Sequence, residues 1–324
     1  MQATAIAHAN IALVKYWGKR DVRLNLPAVG SISVTLKNLF TRTKIIFDPN
    51  FDKDELIIDS VKVEGKAGSR VAHFLSLFRQ RAQVDFFAHV ESENNFPTGA
   101  GLASSASGFA ALTIAANAAL KLNLSSKELS IFARQGSGSA ARSVFGGFVE
   151  MKKGEKRDGS DSFAVKLADE THWDLHMLIA ITSEKAKKMG STDGMVLSEK
   201  TSPYYSEWVR TSEIDLTVCR EAILNKDFSQ LAEVAEYSCL KMHALAMSSQ
   251  PGLIYWNGAT VEVLHTIREL RRQGIPVFFT IDAGPQVKAI CEPKYIETVK
   301  KNLEEIKGVK RVIHTPLGPD AKII

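Results

Sequence analysis

The feature that most constrains the fold is a long uncharged stretch in the first half of the chain. Residues Ser104 to Leu120 contain no Asp, Glu, Lys or Arg and are rich in alanine. Alanine has the highest helix propensity, and a helix without a polar face is buried on all sides. We therefore predict a core helix here, around which the neighbouring elements must be arranged.

A glycine turn, Pro97 to Gly101, stands directly before this helix, and Ser104 and Ser105 open it. Free N–H groups at a helix N-terminus bind anions, glycines let a phosphate approach the backbone, and hydroxyls add donors or a metal ligand. The pattern indicates a phosphate-binding loop, with a helix cap and tight turn as the alternative. Neither the dinucleotide fingerprint nor the GxxxxGK[ST] P-loop is matched, which disfavours those two nucleotide sites.

Two further segments contain candidate anion ligands. Gly136 to Ser143 combines glycines, three serines and Arg142, whose planar guanidinium binds phosphate or carboxylate through two donors. Lys15 to Asp21 places three cations beside two aromatic rings and favours a local anion pocket. The alternatives are a surface loop with a solvated arginine and a strand end whose lysines extend to solvent.

A carboxylate stands at the end of a predicted strand in the second half of the chain. Asp282 follows the apolar run Pro276 to Ile281 and precedes the turn Ala283 to Pro285. A carboxylate held near a lysine orients or deprotonates a substrate hydroxyl in phosphoryl transfer to an alcohol. An Asx turn without catalytic function is the alternative.

Three other clusters are assigned no chemistry. His172 and His176 have i, i+4 spacing but no HExxH pattern and no third ligand, so they are interpreted as structural. The aromatic residues from Tyr204 to Trp208 are predicted to pack at an interface between lobes. Met242 to Met247 is predicted to form the core stripe of a helix.

Composition narrows the class of protein. With 324 residues, 45% of them hydrophobic and 24% charged, the chain is typical of a globular protein and not of a disordered, collagenous or coiled-coil one. At this length two lobes with a groove between them are expected. Lys and Arg exceed Asp and Glu by 41 to 36, which favours anionic partners. Because acids interrupt the basic residues elsewhere, a phosphorylated metabolite is favoured over the alternative, a nucleic-acid-binding protein.

Cysteine usage and hydropathy suggest a compartment. Cys219, Cys239 and Cys291 are far apart and form no CxxC pair, so neither a disulfide framework nor a zinc ribbon is indicated, and a reducing cytoplasm fits best. The first twenty residues lack the order of a secretory signal, and no apolar run approaches the roughly 20 residues of a membrane helix. We expect a soluble cytoplasmic protein without a membrane partner.

The order of predicted elements indicates an α+β fold. A helix from Ser69 to Arg81 and a strand from Val84 to Val90 precede the core helix, and Ser125 with Glu128 forms a capping box that starts a helix through Arg134. The other predicted strands are Ala3–Leu13, Ser31–Leu39, Thr41–Phe47, Glu55–Val63, Phe148–Met151, Met177–Thr182, Ile275–Ile281 and Val309–Ile313. The other predicted helices are Ser212–Asn225, Phe228–Met247, Ala259–Gln273 and one before the last strand. Residues 157–173 are expected to be irregular, and we divide the chain into an N-terminal lobe, 1–175, and a C-terminal lobe, 176–324.

Taken together, these segments resemble the diphosphomevalonate decarboxylase family of the GHMP kinase superfamily. The resemblance extends from about Ala7 to Gly318, with the motifs in the family's order. It rests on Asn10-Ile11-Ala12, Lys15-Tyr16-Trp17-Gly18-Lys19-Arg20-Asp21, Leu24-Asn25-Leu26-Pro27, Ser92-Glu93-Asn94-Asn95-Phe96-Pro97, Gly136 to Ser143, Ser191-Thr192-Asp193-Gly194-Met195 and Asp282-Ala283-Gly284-Pro285. It implies a two-lobed GHMP kinase-like fold with an active-site groove, usually as a homodimer.

The resemblance also implies a reaction. ATP and (R)-5-diphosphomevalonate would give isopentenyl diphosphate, carbon dioxide, ADP and phosphate, a step of isoprenoid synthesis by the mevalonate pathway. A tertiary 3-hydroxyl is a poor leaving group, and its phosphorylation lets phosphate departure drive loss of the carboxylate. Magnesium would bridge the ATP phosphates, with Ser104 or Ser105 as the only suggested protein ligand.

Site residues follow from the resemblance by matching positions. Asp282 matches the acid that faces the 3-hydroxyl, as base or orienting group, Lys15 matches the lysine that stabilises the transferring phosphoryl group, and Arg142 is the third catalytic candidate. The implied substrate-binding residues are Asn10, Tyr16, Trp17, Gly18, Lys19, Arg70, Ser137, Gly138, Ser139, Ala140, Ala141, Arg142, Ser191 and Thr192. The implied ATP-binding residues are Pro97, Gly99, Ala100, Gly101, Leu102, Ala103, Ser104, Ser105 and Ser107.

The sequence departs from the family pattern at three places. Ala141 stands where many relatives have cysteine, Gly99 to Gly101 where some have two alanines, and Gln286 where asparagine is frequent. None of these changes removes a charged catalytic group. Because Asp282 and Lys15 are both present, the resemblance implies decarboxylation and not only kinase activity. The preference for diphosphate over monophosphate stays open.

Overall fold

The computed structural model describes residues 1–96, 104–185 and 189–324. The strands are β1 Gln2–Val14, β2 Lys19–Asp21, β3 Leu26–Pro27, β4 Ser31–Asp48, β5 Glu55–Ile58, β6 Val61–Lys62, β7 Phe87–Asn94, β8 Phe148–Met151, β9 Ala164–Ala168, β10 His176–Ile181, β11 Val277–Ile281, β12 Val287–Cys291, β13 Arg311–Pro316 and β14 Lys322–Ile323. The helices are α1 Gly65–Ala82, α2 Ser104–Ala119, α3 Ser126–Gly136, α4 Ala140–Ser143, α5 Ser191–Thr201, α6 Tyr205–Asn225, α7 Phe228–Met247, α8 Gly258–Arg272 and α9 Ile296–Glu304.

The predicted core helix is confirmed as α2. It packs against β1, β4, α3 and α4, and six of its seven alanines are buried. Small side chains allow this close approach on all sides. The capping box is also confirmed, because the Glu128 N–H donates to Ser125 Oγ at 3.3 Å and the Ser125 N–H donates to Glu128 Oε2 at 2.9 Å.

The first sheet contains eight strands in the described part of the chain, in the order β14-β1-β4-β7-β5-β6, with β8 and β9 added along β4. The two strands predicted over 31–47 are one strand, β4, whose irregular pairing with β1 falls near Ala9. The single strand predicted over 55–63 is a hairpin, because Asp59 and Ser60 turn the chain at positive φ. The strand predicted at 84–90 begins later, at Phe87, and runs to Asn94.

The second sheet is antiparallel, with the order β11-β12-β10-β13. One face packs on α8 and α9 and the other turns towards the first sheet. Strand β12 and helix α5 were not predicted, α6 begins seven residues before the predicted Ser212, and the region expected to be irregular contains β9. Short strands such as β9 and β12 are stabilised by their neighbours in the sheet, so local pattern alone does not specify them.

The largest apolar core joins the two sheets. It includes Ile11 of β1, Val34 of β4, Leu216 and Ile223 of α6, and Phe278 of β11, all buried. The chain also returns to its starting point, because β14 pairs with β1. In the described residues, no helix combines the length and apolar character that a membrane crossing requires.

Candidate active site

A cavity of about 330 Å³ opens where the C-terminal end of β1 meets the C-terminal end of β11. Fifteen of the residues predicted for the site line it, although they come from widely separated segments of the chain. They are Asn10, Lys15, Tyr16, Trp17, Lys19, Arg70, Ser104, Ser105, Ser137, Gly138, Ser139, Arg142, Ser191, Thr192 and Asp282. Folding therefore brings the start of α2, the Gly136 to Ser143 segment, the basic residues after β1 and Asp282 to one place.

Lys15 and Asp282 form an ion pair in the cavity wall. Lys15 follows β1 directly and Asp282 follows β11, and the Lys15 Nζ donates to Asp282 Oδ1 at 2.7 Å. The Lys15 side chain is only 1% exposed, whereas that of Asp282 is 26% exposed and opens into the cavity. Two further hydrogen bonds fix Lys15, from its Nζ to the Ala12 carbonyl and from its backbone N–H to Ser238 Oγ.

A second lysine approaches the other oxygen of the same carboxylate. The Nζ of Lys288 lies 3.5 Å from Asp282 Oδ2, and the Lys288 side chain is completely buried. Burial by itself would raise the pKa of Asp282, but the positive charges of Lys15 and Lys288 outweigh it and hold the pKa well below its usual range. The carboxylate is therefore ionised at any working pH.

Arg142 also lines the cavity and is buried, not solvated as the alternative interpretation of its loop required. Its guanidinium donates to hydroxyls and an amide oxygen: to Ser31 Oγ at 2.6 Å, to Ser33 Oγ at 3.0 Å and to Asn10 Oδ1 at 3.0 Å. Burial lowers the pKa of Arg142 to about 10, and the charge of Asp282 partly opposes this shift. A buried cation held by neutral partners keeps a strong positive potential at the cavity surface.

Lys19 supplies another cation on the cavity surface. Its Nζ donates to Asn25 Oδ1 at 2.6 Å and to Thr192 Oγ1 at 3.2 Å. Asn25 is oriented in turn by donating from Nδ2 to the Gln135 carbonyl at 2.7 Å. Burial and then the nearby charge of Arg70 lower the pKa of Lys19 to about 8.

Arg70 and the turn after α3 form the adjoining wall. Arg70 donates from Nη2 to the Gly136 carbonyl at 2.6 Å and lies over the Phe109 ring at 4.7 Å. At Gly138, a Cβ atom would lie 2.3 Å from the Tyr16 hydroxyl, so only glycine fits against that ring. The Tyr16 hydroxyl is buried without a hydrogen-bond partner in the described residues, and it lines the cavity.

Some predicted site residues do not line the cavity. Ala140 and Ala141 are fully buried in α4, and Gly18 contributes a turn at φ +100° instead of a wall. Ser107 is buried with its Oγ 2.7 Å from Thr41 Oγ1, facing into the sheet. Ala140, Ala141 and Gly18 each adjoin a lining residue, and Ser107 lies two residues after Ser105, so proximity in sequence did not distinguish residues of the wall from those behind it. Predicted residues Pro97, Gly99, Ala100, Gly101, Leu102 and Ala103 lie outside the described residues.

Sequence reasoning missed several residues that the fold brings to the site. Ala12, Met195, Met242 and Ala283 line the cavity, and Lys288 lies behind Asp282. Met242 lies within the stripe interpreted as helix core and is 2% exposed, so it serves both the core and the cavity wall. A lysine in the otherwise apolar run Val287 to Cys291 was the available signal for Lys288, because a charge is rarely buried without a partner.

The two histidines interpreted as structural are not on a helix. His172 hydrogen-bonds to the Ile223 carbonyl at 2.9 Å, and His176 begins β10 and contacts His314. Within the described residues, no group of three or more His, Cys, Asp or Glu side chains is arranged to hold a metal ion. All three cysteines are free and buried.

A second, mainly apolar cavity of about 230 Å³ adjoins the first near the start of α2. Arg70, Ser104 and Ser105 line both cavities. The remainder of the second wall includes Leu56, Ile58, Val90, Phe109 and Leu112, with Asn94 and Ser92 as polar groups. The serines at the helix start thus separate a polar chamber from an apolar one.

Fold and site together define a GHMP kinase-like enzyme, in which a cationic cavity adjoins the N-terminus of a buried helix. The family models agree over nearly the whole chain. Residues 7–164 match the diphosphomevalonate decarboxylase-like N-terminal domain, and residues 177–320 match the mevalonate 5-diphosphate decarboxylase C-terminal domain. The chain belongs to the diphosphomevalonate decarboxylase family.

Individual relatives support this placement. The chain is 39% identical to the diphosphomevalonate decarboxylase of Ganoderma lucidum, over 94% of this chain and 80% of the relative, and 36% identical to that of Candida albicans, over 98% and 96%. It superposes on the mevalonate diphosphate decarboxylase of Staphylococcus aureus with a TM-score of 0.94, 40% identity and coverage of 100% and 98%. A solved complex with MVAPP, AMPPCP and magnesium has a TM-score of 0.93, 40% identity and coverage of 100% and 99%.

Proposed function

We propose that this chain catalyses the ATP-dependent decarboxylation of (R)-5-diphosphomevalonate to isopentenyl diphosphate, carbon dioxide, ADP and phosphate, through phosphorylation of the 3-hydroxyl. The observation that carries the proposal is the Lys15–Asp282 pair in the wall of a cavity that also exposes Arg142 and Lys19. That arrangement suits a polyanionic substrate with one hydroxyl that must be oriented. Membership of the family supports the same reaction.

The charges divide the cavity into regions with different tasks. Arg142, with Asn10 and Ser139 beside it, is assigned the substrate carboxylate or a nearby phosphate. Lys19, Arg70, Ser137, Ser191 and Thr192 are assigned the diphosphate, since they supply cations and hydroxyl donors on one side of the cavity. Tyr16 offers its unpaired hydroxyl to the same group.

Asp282 is assigned the 3-hydroxyl, and its two lysine neighbours decide how it acts. Cations at both carboxylate oxygens keep it ionised, so that it accepts a hydrogen bond but is a weak base. Its main task is then to orient the hydroxyl towards the γ-phosphate and to accept the proton late, as the new P–O bond forms. Lys15 lies beside that oxygen and stabilises the charge of the transferring phosphoryl group.

The nucleotide is assigned to the start of α2 and the apolar cavity beside it. Ser104 and Ser105 lie between the two cavities, so the phosphates would meet them while the adenine enters the apolar chamber lined by Phe109 and Leu112. Residues 97–103, proposed to contact the ATP phosphates, directly precede this helix in the sequence.

Magnesium fits this site as a metal carried by ATP. Hydroxyl and phosphate oxygens are ligands that Mg²⁺ accepts, and the ion usually retains several waters instead of an all-protein cage. Ser104 or Ser105 would be its protein ligand, which agrees with the absence of a three-residue metal cluster from the described residues. When bound, magnesium neutralises charge on the ATP phosphates during phosphoryl transfer.

Quaternary structure, lobe division and compartment belong to the same proposal. We propose a homodimer, two lobes divided near residue 175 and a cytoplasmic enzyme. The change from the first sheet to the second at His176 supports the lobe division, although β14 rejoins the first sheet. Three free, buried cysteines suit a reducing compartment. Light scattering of the purified protein tests the dimer, and a mass of one chain would contradict it.

One assay tests the function. Purified protein with ATP and magnesium is given mevalonate, its 5-phosphate or its 5-diphosphate, and both ADP and carbon dioxide are measured. We expect equal amounts of both products with the diphosphate. ADP without carbon dioxide would indicate a kinase of the same fold, and preference for the monophosphate would revise the substrate.

A further inference from the structure

Lys288 is a completely buried lysine outside the cavity wall. It lies in the middle of β12, paired with Thr280 of β11 on one side and with Ile179 of β10 on the other. The residues on either side of it, Val287 and Ala289, pack into the apolar core beneath α8 and α9. Because side chains alternate along a strand, Lys288 extends from the opposite face, towards the end of β1 and the active site.

The two lysines hold the Asp282 carboxylate from different parts of the fold. Lys15, at the end of β1, donates to Oδ1 at 2.7 Å, and Lys288, on the neighbouring strand β12 of the second sheet, lies 3.5 Å from Oδ2. Thr280, the strand partner of Lys288, donates from Oγ1 at 3.2 Å to the Ala12 carbonyl, which also accepts from Lys15. Lys288 therefore lies beside the hydrogen bonds that join the end of β1 to β11 of the second sheet.

A lysine at this position does not follow from packing alone. Burial lowers the pKa of Lys288, and the charge of Asp282 opposes this shift and favours the charged form. A buried ion pair contributes little net stability, because the desolvation of its charges offsets their mutual attraction. Methionine would fill the same space without the desolvation of an ammonium group. The positive charge of Lys288 is therefore not explained by core packing.

We propose that Lys288 is a positioning residue for the reaction: its ammonium group fixes the rotation of the Asp282 carboxylate by holding Oδ2, while Lys15 holds Oδ1. An ion pair to one oxygen leaves the carboxylate free to turn about its Cβ–Cγ bond, and a cation at each oxygen removes that freedom. The exposed edge of the carboxylate then meets the substrate hydroxyl in one orientation. This proposal rests on the proposed function of the site.

The kinetic test replaces Lys288 while leaving the cavity wall intact. For Lys288→Met we expect kcat to fall roughly 10- to 100-fold, the cost typical of a misplaced catalytic group, with both KM values within about twofold of wild type. Lys288→Arg, which keeps the charge, should retain more of kcat than Lys288→Met. In the Asp282→Asn background, Lys288→Met should cause no further loss of kcat, because it acts through that carboxylate.

A matched control is available in Lys241. Its Nζ lies 2.7 Å from Asp215 Oδ2, its side chain is 15% exposed, and it does not line the cavity. Lys241→Met removes a largely buried lysine from a carboxylate pair, as Lys288→Met does. We expect kcat to change by less than about twofold in this control, since its effect is limited to packing and charge between α6 and α7.

Urea unfolding of the four proteins in the Lys288/Asp282 cycle supplies a readout independent of activity. If the two side chains interact, the double variant is more stable than the sum of the single changes predicts.

A wild-type kcat for Lys288→Met, or equal kcat for Lys288→Arg and Lys288→Met, overturns the proposal. If Lys288→Met does not fold, the kcat of Lys288→Gln is compared with that of Lys288→Arg instead. If the wild type releases no carbon dioxide, the proposed function fails, and additive stabilities would then separately refute the Lys288 contact.

Discussion

At the scale of single residues, the surroundings of each charged side chain in the site influence its protonation state. Asp282 is held ionised by Lys15 and Lys288, and Arg142 is buried among hydroxyl and amide groups. Lys19 differs from them, because its pKa lies close to working pH. The charge of Lys19 is therefore expected to change near working pH.

Removal of the Asp282 carboxylate should separate catalysis from nucleotide binding. For Asp282→Asn we expect carbon dioxide release to fall at least about 100-fold, because the hydroxyl loses its acceptor. ATP affinity, measured by calorimetry, should stay within about threefold, since the nucleotide is assigned to the start of α2. Near-normal turnover would show that Asp282 does not face the reacting hydroxyl.

Lys19 should set the alkaline limit of substrate capture. Its pKa of about 8 means that the ammonium form, which binds phosphate, is lost as pH rises through that value. We expect kcat/KM for diphosphomevalonate to fall above about pH 8, and the fall to shift to higher pH in Lys19→Arg, because a guanidinium keeps its proton. A kcat/KM that stays flat to pH 9.5 in the wild type would contradict this assignment.

A planar fork and a point charge should not be equivalent at position 142. Three neutral groups hold the Arg142 guanidinium in one plane, through separate nitrogens. An ammonium group in Arg142→Lys satisfies fewer of them and reaches less far, so kcat/KM should fall by about 10- to 100-fold. Unchanged kcat and KM in steady-state assays would remove Arg142 from the anion site.

At the scale of elements, close backbone contacts shape the cavity. The turn between α3 and α4 passes Gly138 directly against the ring of Tyr16, and Gly18, just before β2, has positive φ and lies against Tyr205. Helix α5 begins at Ser191 beside Thr192 and so presents its first turn to the cavity. These elements place hydroxyl groups around the cations.

Gly138→Ala should test the first of these contacts. The added Cβ would lie 2.3 Å from the Tyr16 hydroxyl and would displace that ring from the cavity wall. We expect KM for diphosphomevalonate to rise on the order of 10-fold. Gly258→Ala is the matched control, because a Cβ there at the start of α8 meets no atom within 4 Å, and it should leave KM unchanged.

At the scale of the whole molecule, the two sheets share one apolar core and one active site. Ile11 and Val34 from the first sheet contact the same cluster as Phe278 from the second and Ile223 from α6. The Lys15–Asp282 pair joins the two sheets at the cavity. The proposed division near residue 175 therefore marks where the chain passes from one sheet to the other, and it does not separate two independent folding units.

Thermal unfolding should accordingly be one cooperative transition. A ligand that binds only the folded state stabilises it by about 2.7 kcal/mol at a concentration of 100 times its Kd. We expect diphosphomevalonate to shift the single transition upward in calorimetry, because its proposed ligands come from both sheets. Two transitions, of which only one responds to substrate, would show that the lobes unfold separately.

Much of this protein could be predicted from short stretches of sequence. The uncharged run gave the core helix, Ser125 and Glu128 gave a helix start, and the spaced motifs led to the family and to most of the cavity wall. Each of these signals depends on residues within a few positions of one another, where backbone propensity and hydrogen bonding act directly.

The tertiary structure alone decided the rest. Only folding turns Met242 into the cavity, directs Ser107 away from it and buries Arg142. In each case the outcome depends on which distant segment packs alongside, and that contact changes solvation, charge and the accessible face together. The sequence determined which residues carry the chemistry, and long-range packing determined how each of them is held and ionised.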